Sequence, residues 1–416
     1  MREMKDSGIE WIGAIPAAWG VHRIASHFQE IKEKNTDNAY SNALQFRMGR
    51  IIAKPQKWDE DETNETYSAY TVVHPNTIMI NGLNLEFDFV TQRVARVECD
   101  GIITSAYIAL SPRDDINAKY ICYLFKSYDA CRAFHSMGRG LSFDDFKNIP
   151  FLVPPLAEQE RIAAFLDAEC AEIDAVLEKT RASIEEYKKL KQAVITQAVT
   201  KGVRGDRPMK DSGIEWIGEI PAEWDVLNLV AHTSMLTPMR DRPENLDGPI
   251  PWVRIEDFEG KYIESSKAGL GVSMKTVKEM NLKVYPVGTI LCTSSCIMGK
   301  CAIVSRELVS NQRFIGIIPD RTTDKTYLYY LMTSNAERMN FLSTGALQAN
   351  LSRSAFEHLK VQFPPYSEQQ EIAAYLDDKC EKIDELILKK QQYLTEIENY
   401  KKSLIYEYVT GKKEVV

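Results

Sequence analysis

The sequence predicts an α+β protein whose plan occurs twice along one chain. Three observations lead to this prediction: two sequence blocks that each appear twice, two long segments free of Gly and Pro, and short apolar runs of mixed strand and helix character between them. The 416 residues exceed one ordinary domain. We therefore expect two globular domains of mixed α/β content, separated by two long helices that form an antiparallel coiled coil, in a pseudo-twofold internal repeat.

The first doubled block opens each half of the chain. Residues 4–19 read MKDSGIEWIGAIPAAW, and residues 209–224 read MKDSGIEWIGEIPAEW. Fourteen of these sixteen positions are identical, at an offset of 205 residues. A single repeat of this length differs from a solenoid, which needs shorter and more numerous repeats.

The second doubled block precedes each long helix. Residues 154–174 read PPLAEQERIAAFLDAECAEID, and residues 364–384 read PPYSEQQEIAAYLDDKCEKID, with twelve of 21 positions identical. The apolar residues that follow recur with the 4,3 spacing of a heptad seam, which polar residues interrupt at Thr180 and Lys191 and at the matching Lys390 and Lys401. A narrow seam must be buried. We expect the two helices to bury it against each other in antiparallel order; the alternative is that each packs on its own domain.

These blocks divide the chain into four segments. We predict a first domain at 1–155, a first long helix at 156–202, a second domain at 203–365 and a second long helix at 366–416. Within the domains, residues 77–80, 101–110, 288–292 and 301–305 are typical of strands, and residues 119–128 and 326–341 are typical of helices. The order of the strands cannot be read from the sequence.

Composition and motifs exclude several classes of protein. The chain has 51 basic and 59 acidic residues and thus a net charge of −8. This charge argues against a largely basic surface that binds DNA without sequence preference. There is no apolar run long enough for a membrane span, and we expect a cytoplasmic protein without a membrane partner. We find no phosphate-binding loop, no cluster with the spacing of metal ligands and no catalytic constellation.

Both domains nevertheless contain side chains suited to reading DNA. Base edges are read by Arg, Lys, Asn and Gln on exposed elements. The candidates are Arg47, Arg50, Lys54, Lys57, Gln92, Arg93 and Arg139 in the first domain, and Arg240, Arg242, Lys300, Asn311, Gln312, Arg313, Gln348, Asn350 and Arg353 in the second. For each residue taken alone, a solvated surface position is the alternative.

Taken together, the doubled blocks and the helices after them resemble the specificity subunit of type I restriction–modification enzymes. Residues 101–112 and 309–314 are also similar to the recognition domains of that family. The resemblance implies two target recognition domains, each reading one half of a split site in double-stranded DNA. It also implies a subunit without catalysis of its own.

The same resemblance implies partners and places the cofactors on them. Two modification subunits would methylate adenine with S-adenosylmethionine, and restriction subunits would act as motor nucleases with ATP and Mg²⁺; no cofactor is expected on this chain. Similar partners need similar surfaces, so we predict that the doubled blocks dock the modification subunits. Trp11, Trp19, Trp216 and Trp224 are the candidate docking residues, with a role in the core as the alternative.

Three other functions compete with DNA reading by a specificity subunit. The chain could be a coiled-coil scaffold whose domains bind proteins rather than DNA. An acidic decoy of DNA is a weaker alternative, since −8 over 416 residues is a low charge density. A self-contained nuclease or methyltransferase would need the motifs that the sequence lacks.

Overall fold

The structure, a computed structural model, describes residues 2–47, 49–55, 67–83, 93–134, 142–238, 242–295, 299–342 and 351–415. The chain folds into two compact units. Unit 1 consists of Met1–Arg181 and Gln392–Val416, and unit 2 consists of Ala182–Gln391. Each unit therefore contains one half of each long helix. The four predicted segment boundaries follow the sequence blocks and stay predictions.

Unit 1 is a mixed α/β unit whose short strands come before its long helix. Its strands are β1 (Met4–Asp6), β2 (Ala14–Pro16), β3 (Gly20–Arg23), β4 (Phe28–Glu30), β5 (Leu44–Arg47), β6 (Arg50–Ala53), β7 (Thr71–Val73), β8 (Ile78–Ile80), β9 (Val94–Arg96), β10 (Gly101–Ile103), β11 (Ile108–Pro112) and β12 (Pro150–Val153). Its helices are α1 (Ile24–His27), α2 (Ala118–Ala130), α3 (Phe143–Phe146) and the first half of α4 (Leu156–Lys201).

Unit 2 has the same mixture of elements. Its strands are β13 (Met209–Asp211), β14 (Glu219–Pro221), β15 (Asp225–Asn228), β16 (Thr233–Leu236), β17 (Ile250–Val253), β18 (Tyr262–Ile263), β19 (Gly271–Val272), β20 (Ile290–Thr293), β21 (Cys301–Val304), β22 (Val309–Ser310), β23 (Phe314–Pro319) and β24 (Lys360–Phe363). Its helices are the second part of α4, α5 (Met274–Glu279), α6 (Lys325–Ser334), α7 (Ala336–Leu342), α8 (Arg353–Glu357) and the first part of α9 (Tyr366–Val409), with 3-10 turns at Leu229–Ala231 and Ile255–Asp257. The last part of α9 belongs to unit 1.

The main sheets of the two units have corresponding strand orders. The order is β4-β11-β8-β9 in unit 1 and β16-β23-β20-β21-β18 in unit 2, where β18 adds a parallel edge strand. A helix follows the second strand of each order, α2 after β11 and α6 after β23, and packs on the sheet. The main sheets of the two divergent interiors thus share a strand order, because burial patterns and turns can specify it without identical residues.

The two long helices pack antiparallel in both units. In unit 1, Lys401 Nζ lies 2.7 Å from Asp174 Oδ1, and Arg181 Nη2 lies 2.6 Å from Glu398 Oε1. In unit 2, Lys191 Nζ lies 2.6 Å from Asp384 Oδ2. Seam residues such as Leu166, Leu177, Ile184, Leu376 and Leu404 are buried at 6% exposure or less. Within each unit, the apolar seam is therefore covered by the partner helix and by the domain.

The predicted elements are found with two changes. The single strand predicted at 101–110 is two strands, β10 and β11, because residues 104–107 form a turn. The single helix predicted at 326–341 is two helices, α6 and α7, which meet at Asn335. Both long helices end at a glycine with positive φ, Gly202 at 75° and Gly411 at 69°, a conformation that favours glycine.

Candidate nucleic-acid interface

A buried carboxylate ties the first doubled block to the long helix in each unit. In unit 1, Trp19 Nε1 donates to Glu158 Oε2 at 3.0 Å, and Arg2 also pairs with Glu158. In unit 2, Trp224 Nε1 donates to Glu368 Oε2 at 3.0 Å, and Arg207 Nη1 lies 2.6 Å from Glu368 Oε1. The rings of Trp19 and Trp224 have no exposed surface. The tryptophan and the glutamate of the two blocks therefore form one structural contact, made twice.

The glutamine next to that glutamate fixes the helix that packs on the sheet. Gln159 Oε1 accepts from the backbone N–H of Asn117 at 2.8 Å, while Gln159 Nε2 donates to the Pro154 carbonyl at 2.9 Å. Gln369 makes the matching bonds to Asp324 N–H at 2.8 Å and to the Pro364 carbonyl at 2.9 Å. Asn117 and Asp324 are the N-caps of α2 and α6. Each glutamine thus joins the start of a long helix to the start of a domain helix.

About two turns further along each long helix, an aspartate adds a third contact with the domain helix. Tyr123 Oη donates to Asp167 Oδ1 at 2.9 Å, and Tyr330 Oη donates to Asp377 Oδ1 at 2.7 Å. Burial is the main reason that the pKa of each phenol lies above its ordinary value, so both stay protonated donors. The Glu, Gln and Asp of the second doubled block are therefore explained by contacts inside each unit.

These contacts change the interpretation of the four tryptophans. The prediction that Trp19 and Trp224 dock a partner is corrected, because a side chain with no exposed surface has none to offer. Trp11 is half-buried against the edge of Tyr128, with ring centroids 4.6 Å apart. Trp216 is 43% exposed, and the guanidinium of Arg338 lies 3.9 Å from its ring centroid. Trp11 and Trp216 remain candidate docking residues.

In unit 1, two predicted DNA-reading residues meet on a β-hairpin. Strands β5 and β6 pair antiparallel, and Arg47 lies directly opposite Arg50 in the last pair before the turn. Both side chains are exposed. At the other end of the hairpin, the Lys54 N–H donates to the Ala43 carbonyl at 2.8 Å, and Leu44 is 1% exposed. The hairpin is thus held by the core at its base, with two guanidinium groups at its turn.

The other candidates of unit 1 are placed differently. Lys54 is half-buried and donates to Tyr70 Oη at 3.0 Å. The prediction that Arg93 contacts DNA is corrected, since its side chain is 1% exposed and donates to the carbonyl oxygens of Leu83 at 2.6 Å and Asn81 at 3.3 Å. Lys57, Gln92 and Arg139 lie outside the described residues.

In unit 2, several candidates meet at one end of the main sheet. Lys300 directly precedes β21, and its carbonyl accepts from the N–H of Thr293, the last residue of β20, at 2.9 Å. The Ser294 N–H donates to the Arg313 carbonyl at 2.8 Å, and the Leu351 N–H donates to the Ser294 carbonyl at 2.9 Å. These backbone bonds bring exposed Lys300, the segment Asn311, Gln312 and Arg313, and the start of α8 with Arg353 to the same sheet end.

Of the other candidates of unit 2, Arg242 lies beside an aromatic ring, Arg353 forms an ion pair, and three are not described. Arg242 is exposed, with its guanidinium 5.8 Å from the Trp252 ring centroid. Arg353 Nε donates to Glu357 Oε1 at 2.7 Å. Arg240, Gln348 and Asn350 lie outside the described residues. Across the ranges that the structure covers, no group of three His, Cys, Asp or Glu side chains is arranged to hold a metal ion.

Gln45, which shares a hairpin face with Arg47, was not among the predicted residues. His27 and His232, which differ by the repeat offset of 205 residues, were not predicted as a matching pair either. Each lies beside an aspartate: His27 Nδ1 is 2.9 Å from Asp115 Oδ2, and His232 Nδ1 is 3.4 Å from Asp320 Oδ2. Strand alternation and the repeat offset were the signals that could have found them.

The architecture is that of a protein with two α+β domains of corresponding topology, each joined to a long helix by the same contacts. Comparison with known proteins names the class. The family model described as the type I restriction modification DNA specificity domain matches residues 100–186 and 225–399, more than half of the chain. The chain therefore belongs to the type I restriction–modification specificity subunits, and the resemblance predicted from the doubled blocks is confirmed.

Individual relatives agree with this assignment. The type I restriction enzyme MjaIX specificity subunit of Methanocaldococcus jannaschii is 36% identical over 176 residues, 40% of each chain. The putative MjaX specificity subunit of the same organism is 23% identical over 97% of this chain and 96% of its own. A solved structure concerned with complex assembly and conformational transition of the type I R-M system covers 96% of this chain and 99% of its own, with a TM-score of 0.74 and 14% identity, and shows the same fold.

None of the described helices, within the ranges given above, is both long enough and apolar enough to cross a bilayer.

Proposed function

We propose that this chain reads a bipartite DNA site, with the domain of unit 1 reading one half and the domain of unit 2 reading the other. One observation supports the proposal most strongly. The Trp, Glu, Gln and Asp residues of the doubled blocks make the same contacts in both units, while the exposed basic and amide side chains of the two domains differ. Unit 1 offers Arg47 and Arg50 on a hairpin, and unit 2 offers Lys300, Gln312 and Arg313 at a sheet end. Two domains with different base-contacting side chains would recognise different half-sites.

The long helices are proposed to set the gap between the half-sites. Helix α4 has 46 residues and α9 has 44. At 1.5 Å per residue, each is about 65–70 Å long. Because half-site spacing follows protein geometry, a coiled coil of fixed length would impose a fixed number of unspecified base pairs.

Catalysis is proposed to belong to partner subunits. Two modification subunits would dock on the doubled blocks and helices and bring S-adenosylmethionine, and restriction subunits would bring ATP and Mg²⁺. We expect the complex to act in the cytoplasm. The DNA specificity domain matched by the family model favours DNA reading over the scaffold alternative.

Adenine-methylation mapping tests the proposal most directly. The chain would be expressed with its cognate modification subunit in a host lacking both, with a control strain that receives the modification subunit alone. We expect a new split motif, two short half-sites around a fixed gap, only when this chain is present. A folded and associated complex that yields no new motif would support the scaffold alternative.

The docking proposal has its own test. We expect Trp216→Ala to weaken capture of the modification subunit, because tryptophan and arginine, which are in contact here, are both enriched among interface hot spots. Truncating a hot-spot residue costs about 2 kcal/mol or more, which is about thirtyfold in affinity. The matched control is Tyr262→Ala, which removes an aromatic side chain that is 52% exposed on a recognition-domain strand of the same unit. Equal capture by both variants in a quantitative pulldown would exclude Trp216 from the interface.

A further inference from the structure

The β5–β6 hairpin has one face in the core and one face outside it. Directly opposed residues of an antiparallel pair share a face, and successive residues alternate between faces. Leu44, Phe46 and Ile51 belong to one apolar cluster of unit 1, which fixes the inward face. Gln45, Arg47, Arg50 and Ile52 alternate with these residues and therefore occupy the outward face.

The three polar side chains of the outward face have no partner of their own among the described residues. Arg47 and Arg50 are exposed, and Gln45 is half-buried. Other arginines of the unit are engaged: Arg93 donates to backbone carbonyls, and Arg96 Nη2 donates to Glu98 Oε1 at 2.9 Å. An exposed guanidinium without a carboxylate neighbour keeps its fork of donors available for a ligand.

The shape of this element suits a DNA groove. The major groove admits a two-stranded β-ribbon, and an arginine there donates two parallel hydrogen bonds to O6 and N7 of guanine. Glutamine makes the equivalent bidentate contact with adenine. Opposed Cα atoms lie about 4.5–5.5 Å apart. Arg47 and Arg50 can therefore address bases within one or two steps of each other, at a rise of about 3.4 Å per step.

We propose that the outward face of the β5–β6 hairpin reads guanine in the half-site assigned to unit 1. Arg47 and Arg50 each take one guanine, and Gln45 takes an adenine beside them. This inference rests on the proposed function and adds the element, the residues and the base identity. The competing role for the two arginines is contact with phosphates, which positions a protein without specifying sequence.

The experiment compares methylation motifs of the full chain, co-expressed with its modification subunit, for wild type, Arg47→Ala, Arg50→Ala and Arg47→Lys. Each alanine variant is expected to lose the guanine requirement at one position of one half-site, with discrimination there falling about 5- to 150-fold. The other half-site should stay unchanged. Arg47→Lys keeps the positive charge but lacks the planar pair of N–H donors of a guanidinium. Its methylated motif should therefore lose the guanine requirement at the same position as that of Arg47→Ala.

The control is Arg113→Ala, which removes an exposed positive charge directly after β11 in the same unit. Its motif should match wild type. An unchanged motif in the hairpin variants, with methylation weakened equally at all sites, would overturn the inference in favour of phosphate contacts. A wild-type complex that yields no split motif would instead refute the proposed function, and the inference with it.

Discussion

At the scale of single residues, Glu368 carries the clearest structural role. Its side chain is 0% exposed, accepts from the Trp224 indole and pairs with Arg207. A buried carboxylate is tolerated only where hydrogen bonds and opposite charge replace water. The identity of the tryptophan and glutamate in both copies of the blocks follows from this requirement, since neither can change alone without leaving the other unsatisfied.

We therefore predict that Glu368→Ala strongly destabilises unit 2. The substitution leaves the buried Trp224 N–H without its acceptor. It also removes the buried partner of the Arg207 guanidinium, which is only 11% exposed and keeps the half-exposed Glu223 and the Lys201 carbonyl as acceptors. Breaking a buried pair on one side costs about 3–5 kcal/mol. Urea unfolding followed by tryptophan fluorescence measures the loss.

The matched control for this prediction is Glu256→Ala. Glu256 pairs with Arg254 at 3.0 Å but is 58% exposed, so its loss should cost at most about 1 kcal/mol. If both variants unfold at the same urea concentration, the buried carboxylate does not anchor the block.

At the scale of elements, ion pairs between the two long helices explain two of the polar residues in the heptad seam. The seam breaks Lys191 and Lys401 each pair with the aspartate that ends the second doubled block on the other helix, Asp384 and Asp174 respectively. The four residues lie at matching positions, 210 apart in sequence. A polar residue in a coiled-coil seam can specify register at some cost in stability.

A charge exchange tests this role in unit 1. Lys401→Asp places two carboxylates together and should destabilise the unit by about 1 kcal/mol or more, since the pair is only partly exposed. Adding Asp174→Lys restores opposite charges and should recover most of that loss in a double-mutant cycle. Thermal melting of the four proteins measures the coupling, and additive single effects would show that the pair is unimportant.

At the scale of the whole molecule, helix length is the quantity with a functional consequence. Deleting residues 178–184 together with 391–397 removes one heptad from each helix and keeps the Asp174–Lys401 and Lys191–Asp384 pairs. Seven residues correspond to about 10 Å of helix. At 3.4 Å per base pair, the gap in the methylated motif should shorten by about three base pairs.

Methylation mapping of the shortened chain checks this prediction. The two half-sites should stay the same while the gap changes. A variant that folds, binds the modification subunit and retains the wild-type gap would contradict the proposal that the helices set the spacing. Deleting the heptad from α4 alone serves as the control, because it breaks the antiparallel register and should disrupt the complex.

Much of the architecture was predictable because it depends on patterns of residues that are close together in sequence. The heptad spacing predicted both long helices. Their observed ends lie at Gly202 and Gly411, because helix termination depends on neighbouring residues. The internal break at Asn335 and the turn at 104–107 were not predicted. Short apolar runs do not distinguish one element from two adjacent ones.

The sequence by itself determined the repeat, the mixed composition of the domains and the family, because each depends on residue identity at a fixed offset along the chain. Only the tertiary structure decided which candidate residues are available to a ligand. Arg93 and Arg47 are the same residue type in the same domain, yet one is 1% exposed and the other is exposed on a hairpin. The burial of a side chain depends on contacts between residues that are distant in sequence. A local sequence pattern does not show which of these contacts form.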